Sequence, residues 1–262
     1  MRWMSCAARI TFACFFATAA QSAEIKVIGS DGFALVLDAI KPKYEQASGN
    51  TLSIRYDVAD NLLKDILGGA PFDLVVTTDE AMRAIIQTGG AVPTTRVELA
   101  RSGIGLAYKA GSPKPDIHDA VSFKATLIEA SAISYTPAGA SGAQFDALAT
   151  KFAIMDQVKA KTVVLPPEAR GASSAGGSGG LNNVLQAVLD GRARYGVQAI
   201  SNILPVKGLE YVAFPSDMQL YRAYSGAVGT ESKQPDAAAA LLKLLADPQF
   251  IPLIKSSGME PG

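Results

Sequence analysis

Short apolar runs alternate with amphipathic segments along most of this 262-residue chain, and this alternation constrains the fold more than any other feature. Apolar runs such as residues 51–56 and 72–77 predict strands. The segment after the first strand instead repeats Phe33, Val36 and Leu37 on one face, as a helix does. Repeated alternation of this kind predicts an α/β fold in which helices cover both faces of mostly parallel sheets.

The first 22 residues have the pattern of a secretory signal peptide. Two arginines precede an apolar stretch from Ile10 to about Ala20, and small residues follow it. We expect cleavage after about Ser22 and export to the periplasm; a buried N-terminal helix is the alternative. No later apolar run is long enough to cross a bilayer, so we expect no membrane insertion of the mature chain.

The composition of the mature chain excludes several classes of site. Both cysteines, Cys6 and Cys14, lie in the signal segment, so no disulfide or cysteine metal site is expected. The sequence has one histidine, and we expect no metal and no other cofactor. Without Arg2 and Arg9 the net charge is about −2, and no basic tract occurs, which argues against nucleic acid as a partner. A length of roughly 240 residues suits one large or two medium domains, and we expect a monomer.

Small polar residues follow several of the predicted strands, where they can cap the next helix. Helix N-termini leave backbone N–H groups unpaired at the positive end of the helix dipole, which favours an anion. We therefore expect a small anionic ligand, bound by residues of these turns: Ser30, Gly32, Asp60, Thr77, Thr78, Ser141 and Gly142.

The most glycine-rich turn is residues 171–180, with the sequence GASSAGGSGG. It lies between an apolar run at 163–165 and a predicted helix that begins near Leu181. We expect Gly180 and Leu181 to offer backbone N–H groups to the same anion. The turn lacks the lysine–serine ending of a nucleotide-binding P-loop. A plain flexible loop is the alternative.

Five segments together resemble the molybdate-type, type II periplasmic solute-binding proteins: VIGSDGF at 27–33, GAPFDLVV at 69–76, RSGIG at 101–105, DGRARYGV at 190–197 and SGMEP at 257–261. The resemblance implies two α/β lobes joined by two crossover strands, one of residues 23–107 plus 223–262 and the other of residues 108–222. It also implies a ligand between the lobes, held at Ser30, Asp60, Thr77, Ser141 and the Gly180–Leu181 turn.

The chain departs from the family pattern at three places. Asp31 stands where the family usually has a hydroxyl, Ala199 stands where a tyrosine is frequent, and the loop before Leu181 is longer and richer in glycine. These changes favour a larger anion than molybdate. As a whole the chain is also similar to members of the family that interconvert cis- and trans-aconitate, which implies an isomerase that shifts a C=C bond in a tricarboxylate. The rival expectation is a receptor that delivers an oxyanion or a carboxylate to an ABC permease.

Two residues are candidates for moving a proton. Asp31 could be the base that removes a proton from carbon, with helix capping as the alternative role. Tyr135 ends a predicted strand and could donate a hydrogen bond or carry a proton, with a place in the core as the alternative.

Arginine forks suit carboxylates, and Arg170 at the start of the glycine-rich loop is the first candidate. A solvated loop arginine is the alternative. Arg55, Arg194 and Arg222 are weaker candidates, because each could belong to a surface ion pair. His118 lies in a polar turn, for which a surface role is expected.

Overall fold

The computed structural model of the chain describes residues 22–137, 140–163 and 183–262. Residues 1–21 of the predicted signal peptide, the glycine-rich stretch 171–180, Arg170 and Leu181 lie outside the described residues. The predictions made for them stay predictions.

The described residues form ten strands in chain order: β1 (Glu24–Ser30), β2 (Thr51–Asp57), β3 (Leu74–Thr78), β4 (Val97–Ser102), β5 (Ile104–Lys109), β6 (Ile133–Ser134), β7 (Tyr195–Ala199), β8 (Leu209–Ala213), β9 (Arg222–Val228) and β10 (Met259–Pro261). They form ten α-helices: α1 (Ala34–Ser48), α2 (Ala59–Leu67), α3 (Asp79–Gln87), α4 (Ala120–Glu129), α5 (Ala140–Lys151), α6 (Met155–Ala160), α7 (Asn183–Leu189), α8 (Ile200–Ile203), α9 (Pro235–Leu245) and α10 (Ile251–Ser256). Short 3₁₀ turns span Asp31–Phe33, Pro93–Thr95 and Pro248–Phe250.

The strands form two sheets, one in each lobe. The first has the strand order β10-β4-β9-β3-β1-β2, and the second has the order β6-β7-β5-β8. The chain passes between the sheets twice, from β4 to β5 through Gly103 and from β8 back to β9. The expected lobe boundary at residue 108 divides β5, which belongs wholly to the second sheet.

Both sheets are mixed, whereas the strand–helix alternation predicted mostly parallel ones. β1 pairs in parallel with β2 and β3, and β6 with β7, while the remaining neighbours are antiparallel. A parallel pair follows from a helical crossover between successive strands. Strands such as β9, which arrive from the other lobe, do not have that connection to their neighbours.

Each sheet is covered by helices on both faces. In the first lobe, α1, α9 and α10 pack on the face that carries Val76, and α2 and α3 pack on the face that carries Val75. In the second lobe, α4, α5 and α6 cover the face of Leu106, and α7 and α8 cover that of Ala107. Full burial of one such aliphatic side chain stabilises a fold by about 1.5–3 kcal/mol. These cores therefore fix the helices on the two sheets.

The two connections between the lobes are held together by one side chain. Gln219 Oε1 accepts a hydrogen bond from the Ile104 N–H at 2.6 Å, and Gln219 Nε2 donates to Ile104 O at 3.1 Å and to Phe214 O at 3.3 Å. A Cβ atom on Gly103 would lie 2.9 Å from the Gln219 amide, so a larger residue there would displace this side chain.

A buried carboxylate joins the start of the first sheet to α9. Asp73 is 4% exposed and accepts hydrogen bonds from the backbone N–H groups of Lys26, Lys233 and Gln234 and from the Ser232 hydroxyl. Burial alone would raise the pKa of Asp73, but these hydrogen bonds outweigh it and lower the pKa below its usual value. The role of this residue in the segment at 69–76 is therefore structural.

Within the described residues, no single helix has the length and apolar composition needed to cross a membrane. The pair Pro235–Leu245 and Pro248–Ser256, bent by 53°, meets that requirement of length and composition only as a pair.

Candidate functional site

The carboxyl ends of β1 and β3 lie side by side in the first sheet. Gly29 pairs with Val76 in parallel register, so Ser30 and Thr77 follow at neighbouring positions. Thr77 pairs in turn with Ser225 of β9. All three hydroxyl residues are buried, and among the described residues Thr77 Oγ1 has no hydrogen-bond partner. The strand ends therefore carry a row of hydroxyl groups where ligands of α/β sheets bind.

Asp31 occupies the turn that follows this row on β1. Its Oδ1 accepts a hydrogen bond from the Gly32 N–H at 2.7 Å, and the Ser30 hydroxyl lies 3.4 Å away. Burial raises the pKa of the Asp31 carboxyl, against the opposing effects of these hydrogen bonds and of the Arg222 charge, while the charge of Asp57 raises it further. Asp31 is thus a stronger base than an ordinary aspartate, and it keeps some exposure to solvent.

The turn at Asp31 packs directly on Tyr224 of β9. A Cβ atom built on Gly32 would lie 2.1 Å from the Tyr224 hydroxyl, so only glycine allows this contact. Tyr224 is 2% exposed. Burial raises its pKa to about 12, with Arg222 acting in the opposite direction and Asp31 in the same one. The phenol is therefore neutral at physiological pH and can act as a hydrogen-bond donor.

The second lobe meets the first at this turn. Residues Asp31–Phe33 contact α8, and the Ser201 hydroxyl of α8 is close enough to Tyr224 to lower the pKa of the phenol. α8 continues directly from β7, and near the end of that strand Gln198 Oε1 accepts a hydrogen bond from the Ser141 hydroxyl at 3.1 Å. Contacts thus connect Asp31 in the first lobe with Ser141 in the second.

Gly142 lies at a close approach of two backbones. A Cβ atom there would lie 1.9 Å from Thr136 O, so the first turn of α5 can pack on the end of β6 only with glycine at this position. This contact fixes the position of the neighbouring Ser141.

Helix capping in the first lobe partly follows the predictions. Thr78 caps α3, as predicted, by accepting a hydrogen bond from the Ala81 N–H at 3.5 Å. Asp60 was expected in a turn that caps the next helix, but α2 begins after Val58, and the Asp57 carboxylate accepts a hydrogen bond from the Val58 N–H at 2.7 Å. Asp60 is an exposed residue of the first turn. Ser30 precedes the Asp31–Phe33 turn without a side-chain capping bond.

Tyr135 lies in the core of the second lobe. It is 3% exposed, and its ring meets Phe145 edge-on with centroids 4.9 Å apart. Burial raises the pKa of Tyr135 to about 12, and the carboxylate of Asp146 adds to the shift, whereas Thr162 opposes it. This position favours the core role of Tyr135 over a role in proton transfer.

The weaker candidates occupy different environments. Arg55 forms an exposed ion pair with Asp65 at 2.5 Å, as the surface alternative predicted. Arg194 donates to the hydroxyl of the adjacent Tyr195 at 3.0 Å. His118 is exposed beside Asp116 and Asp119, and its hydrogen bond to Asp116 raises its pKa. A surface cavity of about 360 Å³ next to His118 includes none of the predicted site residues.

Sequence reasoning missed Tyr224 and Ser201. Both belong to segments far from Asp31 in the chain, and Tyr224 follows the ordinary apolar pattern of a buried strand. A sequence signal did exist at Gly32, since an unexplained glycine in a capping turn indicates that another group approaches closely. Among the described residues, no group of three or more His, Cys, Asp or Glu side chains is arranged to hold a metal ion.

Two α/β lobes joined by two connections have the fold of the type II periplasmic binding proteins. The chain matches the family described as bacterial extracellular solute-binding protein over residues 25–260, and it belongs to that family.

An aconitate isomerase from a Pseudomonas species is 28% identical over 243 residues, which cover 90% of this chain and 87% of the relative. The periplasmic molybdate-binding protein of Azotobacter vinelandii has a similar structure, with a TM-score of 0.69 at 18% identity and coverage of 90% and 98% of the two chains. The sulfate-binding protein SubI of Mycobacterium tuberculosis has a TM-score of 0.67 at 17% identity, with coverage of 91% and 87%. At these identities the two solved structures establish the shared fold alone.

Proposed function

We propose that this chain is a periplasmic enzyme that interconverts cis- and trans-aconitate between its two lobes, after residues 1–22 have directed its export. The observation that carries the proposal is Asp31, a partly exposed carboxylate whose pKa is raised by burial and whose turn contacts the other lobe. A poised base next to a site for an anion is what a proton shift needs. The alignment with the Pseudomonas aconitate isomerase extends through most of the chain and supports the same activity.

The reaction is a 1,3-proton shift. The Asp31 carboxylate removes a proton from the methylene carbon, and the electrons of that C–H bond form the new C=C bond. The electrons of the old C=C bond take up a proton at the former vinyl carbon, so atoms and electrons balance without an oxidant or a reductant. Charge that builds up on the adjacent carboxylate during the shift requires hydrogen-bond donors or a cation.

The binding residues of the proposal come from both lobes. Ser30, Gly32, Thr77 and Thr78 would hold one end of the tricarboxylate from the first lobe, and Ser141 and Gly142 the other from the second. Asp60, which is exposed, and Arg170, Gly180 and Leu181, which lie outside the described residues, complete the proposed set.

A transport receptor is the second candidate. The family and the molybdate- and sulfate-binding neighbours favour it, since such a protein would hand an anion to an ABC permease without changing it. The carboxylate of Asp31 favours the enzyme, because a proton shift needs a base and a receptor does not.

One experiment discriminates between the two functions. The purified mature protein is incubated with cis-aconitate, and the trans isomer is measured by chromatography while binding is measured by calorimetry. The enzyme hypothesis predicts trans-aconitate in catalytic excess over protein. Tight binding of molybdate, sulfate or a carboxylate without turnover would instead favour the receptor.

Replacement of Asp31 by Asn tests the base directly. Asn keeps an oxygen for the Gly32 N–H but cannot take up the proton, so kcat should fall by about a hundredfold or more. Burial disfavours the ionised form of Asp31, so the protonated carboxyl stabilises the fold at low pH and this stabilisation is lost as the pH rises through the raised pKa. The Asp31→Asn variant should therefore unfold at the same temperature as the wild type at neutral pH, or at a higher one.

The matched control for this variant is Asp65→Asn, which removes an exposed carboxylate of the same lobe and should leave kcat within twofold of the wild type. The wild-type kcat/KM should also fall on acidification at a higher pH than the ordinary pKa of aspartate would give. A loss of kcat below tenfold in Asp31→Asn would restrict Asp31 to a structural role.

A further inference from the structure

Arg222 differs from the other arginines that the structure describes. Five of the seven arginines in residues 22–137, 140–163 and 183–262 form an ion pair with an Asp or Glu, namely Arg55, Arg83, Arg96, Arg101 and Arg192. Arg194 donates to Tyr195. Within the same residues, the Arg222 guanidinium has no hydrogen-bond or ion-pair partner, although the residue is half-buried.

The position of Arg222 explains why a free guanidinium matters. It begins β9 at the return from the second lobe, and it pairs with Ser102 next to the first connection. Arg222 lies two residues before Tyr224 on β9 and therefore on the same face of the strand, and the Tyr224 hydroxyl lies at Gly32 in the turn that contacts α8. The charge of Arg222 also lowers the pKa of Asp31 and of Tyr224.

Among the residues that the structure describes, no carboxylate forms an ion pair with the Arg222 guanidinium. The charge of Arg222 acts on Asp31, but the two side chains form no ion pair. A planar guanidinium offers a fork of N–H donors that matches a carboxylate. Because the proton to be removed lies next to a substrate carboxylate, a cation on that carboxylate would also stabilise the charge that develops there.

We propose that Arg222 binds one carboxylate of the tricarboxylate, so that Asp31 faces the carbon next to it. This inference rests on the proposed function. It makes Arg222 a determinant of substrate specificity: it selects the third carboxylate, and it stabilises the developing charge during the proton shift.

The experiment measures binding separately from turnover. Calorimetry gives the dissociation constants of trans-aconitate, of glutaconate, which lacks the central carboxylate, and of mesaconate, which lacks a terminal one. Wild-type protein is compared with Arg222→Gln, with Arg222→Lys, and with Arg194→Gln as the control for loss of an arginine outside the site. Circular dichroism verifies the fold of each variant.

Arg222→Gln should weaken trans-aconitate about ten- to a hundredfold, as expected for the loss of a charge-assisted pair. It should leave unchanged the binding of the one dicarboxylate that lacks the carboxylate contacted by Arg222. Arg222→Lys should lose less affinity, and Arg194→Gln should bind within twofold of the wild type. If Arg222→Gln does not fold, the same comparison is made with Arg222→Lys, for which a threefold loss for trans-aconitate without a loss for the dicarboxylate that lacks the contacted carboxylate supports the proposal.

If Arg222→Gln lost the same affinity for all three ligands, or none for trans-aconitate, the proposed role of Arg222 would be overturned. The proposed function would stand as long as the wild-type protein isomerised aconitate. Failure of the wild type to bind trans-aconitate or to isomerise aconitate would instead overturn the function on which the inference rests. The two failures are thus distinguishable.

Discussion

At the scale of single residues, the site depends on a turn in which neighbouring groups constrain one another. The Asp31 carboxylate accepts a hydrogen bond from the Gly32 N–H, and the absence of a side chain on Gly32 leaves room for the Tyr224 hydroxyl. Burial makes Asp31 more basic and keeps Tyr224 protonated. A base and a neutral donor therefore lie next to each other because the glycine between them has no side chain.

Replacement of Gly32 by Ala tests this packing. The new methyl group would overlap the Tyr224 hydroxyl, and overpacking of a buried site costs about 1–3 kcal/mol of the free energy of unfolding. Tyr224→Phe removes the overlapping oxygen, so the same Gly32→Ala change should cost less in that background. Urea denaturation of the four proteins gives the coupling energy. Strict additivity of the two changes would contradict the contact.

At the scale of elements, Asp73 is the residue before β3 and links that strand to β1 and to α9. One side chain satisfies backbone N–H groups at the start of β1 and ahead of α9, so the position of the helix relative to the sheet depends on it. The loss of several buried hydrogen bonds to one carboxylate should be among the largest single-residue effects in this lobe.

Asp73→Ala should lower the free energy of unfolding by about 3 kcal/mol at pH 7, measured with urea. Because the folded pKa of Asp73 is lowered, its contribution is complete above the unfolded pKa of about 3.9 and is lost as the pH falls through the folded pKa. The difference between wild type and variant should therefore shrink below about pH 4. The control Asp217→Ala, an exposed residue, should change stability by less than about 0.5 kcal/mol. A difference independent of pH would mean that the charge of Asp73 has no role.

Elements with strong local signals could be predicted from the sequence. The spacing of Phe33, Val36 and Leu37 predicted a helix after the first strand, and α1 forms there. α1 ends at Gly49, whose φ of 73° suits glycine. β4 was missed because Glu98 and Arg101 interrupt its apolar pattern, and α6 and β10 because they are short. The relation between Asp31, Ser201 and Arg222 could not be predicted, since it arises only when distant strands meet in the folded chain.

At the scale of the whole molecule, two lobes meet at a turn that carries a base. The Gln219 amide holds the two connections side by side, and the contact between residues Asp31–Phe33 and α8 brings the lobes together beyond them. In the proposed function, the Asp31 carboxylate at this contact between the lobes converts the binding of an anion into proton transfer.

The central claim is tested most directly by proton NMR of cis-aconitate mixed with a catalytic amount of the purified mature protein. The account predicts that the vinyl resonance of trans-aconitate appears and grows to an equilibrium mixture with wild-type protein, and that it grows at least about a hundredfold more slowly with Asp31→Asn. A spectrum that stays that of cis-aconitate, at protein concentrations where calorimetry demonstrates binding, would contradict it.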